Sequence, residues 1–135
     1  MNVPEHYETD MLSFFAGRPL ELELYQALYQ ALTAAHPQAA VKVQRTQISF
    51  YGAHLFAMVS HPRRRGEQGL VVSFGLGRRV DSPRIAQAVE PYPGRWTHHA
   101  ALTRPEEVDG EMLAWLEEAW AFSQAKRSPK SPASG

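Results

Sequence analysis

RWTHHAALT, Arg95 to Thr103, decides how the C-terminal half of this 135-residue chain is read. As a strand it sends neighbouring side chains to opposite faces. Trp96, His98, Ala100 and Leu102 then share one side, and Thr97, His99, Ala101 and Thr103 share the other. The adjacent imidazoles diverge and do not readily hold one metal ion. His98 is expected in the core with a buried hydrogen-bond partner, and His99 on a polar sheet face. A zinc site would need His54, His61, Glu67 or Asp81 as further ligands, and these stand in no recognisable spacing. No metal and no cofactor is therefore expected.

Working back along the chain, Leu70, Val72, Phe74 and Leu76 alternate with Val71, Ser73 and Gly75. That pattern is a strand with one bulky and one slim face, and a slim face lets a backbone or ligand come close. Leu55 to Ser60 is apolar on both parities, as a central strand is, and follows a turn at YGAH, Tyr51 to His54. HPRRRGEQG, His61 to Gly69, is a loop. In VKVQRTQISF, Val41 and Val43 occupy one parity while Ile48 and Phe50 occupy the other. One regular strand cannot bury all four, so the phase must shift near Arg45, Thr46 and Gln47, by a bulge or a break between strands. Arg78 to Pro93 mixes prolines with a short apolar patch and reads as mostly irregular.

The ends are helical. Tyr7 to Phe15 forms a short helix closed by Gly17. Pro19 opens a second, in which Leu20, Leu24, Leu28, Ala31, Leu32 and Ala35 recur at helical spacing until the break before Pro37. Asp109 is placed to cap a third, carrying Met112, Leu116, Ala119, Trp120 and Ser123 on one stripe, with Glu111 in its first turn. The end, KRSPKSPASG, is polar and broken by prolines, so residues 127–135 are expected to be disordered. The expected architecture is one α+β domain over residues 1–126. It has two layers: an antiparallel sheet of about four or five strands, and N- and C-terminal helices on one of its faces.

Composition narrows the function classes. The chain has no cysteine, which excludes disulfides, thiolate catalysis and cysteine zinc sites. No apolar run approaches the roughly 20 residues of a bilayer span, and the N-terminus lacks the plan of a secretory signal. A soluble cytoplasmic protein with no membrane partner is expected. A net charge of zero conceals segregation. Met1 to His36 carries a net −4, Pro37 to Arg104 a net +7, and Pro105 to Gly135 a net −3. Acidic end helices that complement a basic middle explain this, and a dedicated anion surface is the alternative. Arg63, Arg64 and Arg65 are the candidates for nucleic-acid contact, although their loop lacks the interleaved aromatics that stack bases. GLGRR, Gly75 to Arg79, lacks the third glycine of a dinucleotide loop and ends a strand.

In this order, FFAGRP, RTQISFYG, LFAMV, DSPRI, PGRWTHH and WLEEAW resemble the bacterial family called domain of unknown function 5655, from about Tyr7 to about Lys126. The resemblance implies a small α+β domain, found alone or beside nuclease-like domains, with no established activity. Arg45 stands where lysine would be typical, and the charge is kept. Carried over residue by residue, the pattern marks Arg45, Thr46, Gln47, Ser49, Arg95, His98 and His99 as ligand-binding candidates. The leading expectation is a noncatalytic binding or accessory domain for an anionic small molecule or partner. The alternatives are a nucleic-acid-associated accessory of a nuclease system and a histidine-dependent hydrolase or transferase. In the latter, His99 would be the base and Arg45 or Arg95 would steady an oxyanion. A homodimer through an uncovered sheet face is a further arrangement.

Overall fold

The computed structural model describes residues 1–125; the tail at 127–135 lies outside the described residues. Helices α1 (Tyr7–Phe14) and α2 (Pro19–Ala35) come first. Strands β1 (Ala40–Val43), β2 (Ile48–Tyr51), β3 (Leu55–Ser60), β4 (Leu70–Leu76), β5 (Ile85–Tyr92) and β6 (Arg95–Leu102) follow. A 3-10 turn, Pro105–Glu107, leads into α3 (Gly110–Ala125). Asp109 caps α3 as expected, its Oδ1 accepting the Met112 N–H at 3.1 Å. No described helix is long and apolar enough to cross a membrane.

The strands form one antiparallel sheet in the order β1-β2-β3-β4-β6-β5. Six strands replace the expected four or five. The stretch from Arg78 to Pro93, read as mostly irregular, contains β5. This strand lies at the sheet edge, pairs only with β6, and slips register between Ile85 and Gln87 and again between Val89 and Tyr92. Most of its side chains are exposed, so no covered face imposes an apolar alternation, and Pro91 is tolerated at such an edge.

The phase shift near Arg45 is a break between strands. Val41 pairs with Phe50 and Val43 with Ile48 across a turn at Arg45 and Thr46, closed by the Gln44 N–H donating to the Gln47 carbonyl at 2.8 Å. Odd positions face even ones, so all four apolar side chains reach the same side. A second irregularity, between Phe50 and Tyr51, leaves Phe56 without a partner on β2. Phe56 turns to the helix side, where it meets Trp120 of α3 edge-on at 5.1 Å.

Ile48, Phe50, Ala57, Val59, Leu70, Val72, Phe74, Leu76, Ala100 and Leu102 make the buried face under the helices. Tyr25 of α2 stacks on Phe50 at 6.3 Å, and Trp115 of α3 stacks on Phe74 at 5.7 Å. The acidic third helix does complement the basic middle. Arg78 forms a fork with Glu118, and Arg84 reaches both Asp109 and Glu111 at the start of α3. Lys42, Arg63 and Arg95 have no such carboxylate partner among the described residues. The bases of the middle segment thus divide between the helix layer and the opposite side of the sheet.

Candidate functional site

Alternation along β6 separates the two histidines. His98 faces the helix layer, is fully buried, and stacks on Phe74 at 5.2 Å. Its Nε2 accepts the Val80 N–H at 2.9 Å, which gives the expected buried partner. Burial holds its pKa below the ordinary value, because a charged imidazolium there would lose its water. His99 points the other way, where β4 presents its slim residues. Ser73 Oγ lies 2.7 Å from His99 Nδ1. Burial, reinforced by the positive charge of Arg63, holds the His99 pKa down as well.

Around that pair lies a concavity of about 310 Å³ lined by Gln47, Met58, Ser60, His61, Arg63, Val71, Ser73, Gln87 and His99. No carboxylate among the described residues lines it. Met58 and Val71 give it an apolar floor, while Arg63, His99 and Gln87 supply polar groups from three directions. Gln47 is held in place: its Nε2 donates to Ser49 Oγ at 2.8 Å, and Ser49 in turn donates to Gln44 Oε1 at 2.8 Å. Ser49 is fully buried beneath this network, so it braces Gln47 rather than meeting a ligand.

Arg95 shares the open face. A Cβ on Gly75 would fall 2.5 to 2.7 Å from the Arg95 guanidinium, so the slim face of β4 is occupied by the chain's own arginine. Arg95 and Thr97 line a small crevice that adjoins the larger concavity through Met58 and Ser73. Arg45 is not part of this group. It lines a separate cavity of about 390 Å³ against Asp10, Ser13 and Phe14 of α1, and Thr46 is exposed in the turn beside it. Arg63, Arg64 and Arg65 are exposed on the loop after β3, of which only Arg63 reaches the concavity.

Both ends of that loop are fastened. His61 donates from Nε2 to the Phe14 carbonyl at 2.9 Å and stacks on the Phe14 ring at 4.6 Å. At the other end the Gly69 N–H donates to Glu21 Oε2 at 2.7 Å, and Glu21 is a buried acid in the first turn of α2. Sequence reading missed Ser73, Gln87, Met58 and Glu21. The slim parity of β4 was the available signal for Ser73. Gln87 sits on the unrecognised strand, and Glu21 reads as an ordinary first-turn acid.

No curated protein matches the chain, and no solved structure does. A family model described as Domain of unknown function (DUF5655) matches residues 11–123, a span that includes every residue of the open-face concavity and both histidines of β6. The chain therefore belongs to the DUF5655 family.

Proposed function

We propose that this protein is a noncatalytic binding domain for a small organic anion seated on the open sheet face. The observation that carries the reading is the Arg63 and His99 pair on a concavity of about 310 Å³ that no carboxylate of the described residues lines. That volume lies at the lower end of ordinary small-molecule sites. Arg63 contributes a permanent charge, His99 a nitrogen oriented by Ser73, and the Met58 and Val71 floor accepts an apolar body. Arg95 stands close enough along the face to extend the basic surface. A cytoplasmic location and a single folded unit over residues 1–126 belong to the same proposal.

Calorimetric titration with citrate, inorganic phosphate and a mononucleotide tests it, using wild type, Arg63→Ala and His99→Gln. At least one anion is expected to bind, with a loss of roughly tenfold or more in Arg63→Ala, as for a charged hydrogen-bonding group removed from its partner. Affinity should also rise as pH falls, because a bound anion favours the imidazolium form of His99 that burial and Arg63 oppose. Equal affinity in wild type and both variants would reject the site.

A nucleic-acid partner is the second reading, favoured by three exposed arginines on a loop fastened at both ends. It requires affinity that falls steeply with salt. The hydrolase or transferase reading has the Ser73–His99 bond in its favour. It lacks, among the described residues, a group that orients the other imidazole nitrogen, and Arg45 lies away from the pair.

A further inference from the structure

On the helix side, far from the open face in character, α1 and α2 enclose a different kind of pocket. Tyr7, Glu8 and Met11 of α1 meet Tyr25, Gln26, Tyr29 and Gln30 of α2 around a cavity of about 400 Å³. Tyr25 and Tyr29 are one helical turn apart and so share a face of α2. Tyr7 stacks on Tyr29 with centroids 5.9 Å apart, and Tyr25 leans on Tyr29 at 5.8 Å. The Tyr7 and Tyr25 hydroxyls are hydrogen-bonded to each other. Tyr25 is buried and is wedged against Phe15 and Phe50, so the cluster is held rigidly from below. Burial pushes the Tyr7 pKa up to about 12 and raises that of Tyr25 further, so both rings are neutral phenols at physiological pH.

Three aromatic rings could serve any apolar body, and the charge around them is what selects. Glu8 stands at the rim with no base within ion-pairing reach among the described residues. The first 36 residues carry five acids against Arg18 alone. Aromatic faces attract cations through the ring quadrupole, and they do so best when the cation is weakly hydrated. A single carboxylate does not provide the several oxygen ligands that a hard metal ion requires. A quaternary or highly alkylated ammonium group matches both the rings and the carboxylate.

We propose that the α1–α2 cleft is a binding site for an alkylammonium cation, held over Tyr7 and Tyr29 with Glu8 as its counter-charge. The test is a titration of the full chain, followed through the tyrosine ring resonances, with choline and with its uncharged carbon analogue 3,3-dimethylbutan-1-ol. Choline is expected to shift the Tyr7 and Tyr29 signals saturably, and the neutral analogue to bind at least roughly threefold more weakly, in the range of an exposed cation–π contact. Tyr29→Leu keeps an apolar side chain and removes the π face, and it should weaken choline by a similar factor. Glu8→Gln is a nearly isosteric change at an exposed residue that forms no ion pair among the described residues, so it reports on charge without threatening the fold. It should weaken choline and leave the neutral analogue unchanged. No saturable shift with choline, equal binding of the two probes, or unchanged choline affinity in Glu8→Gln would each overturn the proposal.

Discussion

Replacing Glu21 with alanine should unfasten the loop that carries Arg63. The side chain is only 4% exposed, and its Oε2 accepts the Gly69 N–H at 2.7 Å. Alanine removes that bond and leaves a buried donor unsatisfied, at a cost of about 1–3 kcal/mol. It also removes one methylene group along with the carboxylate, at about 0.8 kcal/mol, although water entering from the loop offsets part of this. A loss of about 3 kcal/mol is therefore expected, a large share of a typical 5–15 kcal/mol total. For a domain of this size, that corresponds to a fall in Tm of roughly 10 °C. Glu21→Gln keeps an acceptor in the same place and should lose less than about half as much. Denaturant unfolding measures both variants, and amide exchange at Gly69 and Leu70 should accelerate in the alanine variant only. If Gln proves as damaging as Ala, the acceptor geometry is not what matters. If Ala is neutral, the Gly69 N–H has found another partner and the loop does not depend on α2.

Two further tests concern the glycines of that loop and the histidines of β6. Gly69→Ala should destabilise by more than Gly66→Ala, although both glycines have positive φ, 99° and 81°. A Cβ at Gly69 would stand 2.8 Å from the Leu102 carbonyl oxygen, whereas at Gly66 it meets open space. Thermal melts should show at most about 1–2 kcal/mol for Gly66→Ala, the cost of the left-handed conformation alone, and similar values for the two variants would refute the steric account. The second test concerns pH. His98 and His99 both have pKa values depressed below the ordinary 6.5. The unfolded chain then binds more protons than the folded one, so stability rises with pH in their titration range. Their contribution is complete above pH 6.5 and is lost as pH falls below it. Denaturant midpoints measured from about pH 8 to about pH 5 should decline through this range, and His98→Gln should flatten the slope; an unchanged slope would exonerate His98.

The arrangement also explains why a neutral protein carries so segregated a charge. Arg78 and Arg84 are spent on α3, Arg84 clamping its acidic start and Arg78 holding Glu118 farther along the helix. Lys42, Arg63 and Arg95 remain on or beside the uncovered face. Both explanations of the basic middle therefore apply, each to different residues. The open face ends up basic and the α1–α2 cleft acidic.

Periodicity alone determined the elements that have one covered and one uncovered side. The stripe of α2, the alternation of β4 and the divergence of His98 from His99 all follow from a helical or extended backbone meeting a core on one side, which is a local property. The phase change between Val43 and Ile48 likewise required a bulge or a break near Arg45, and the pairing of β1 with β2 made it a break. Only the tertiary structure decided what lies beside what. β5 escaped notice because an edge strand with exposed side chains carries no burial pattern, and its place beside β6 comes from hydrogen bonding to a neighbour across a turn. Ser73 meets His99, and Glu21 meets Gly69, through strand order and helix docking that join residues 26 and 48 positions apart. Such contacts are set by the packing of whole layers, so no window of sequence contains them. For the same reason, Arg45 and Arg95 could be singled out together in sequence and still finish in separate cavities.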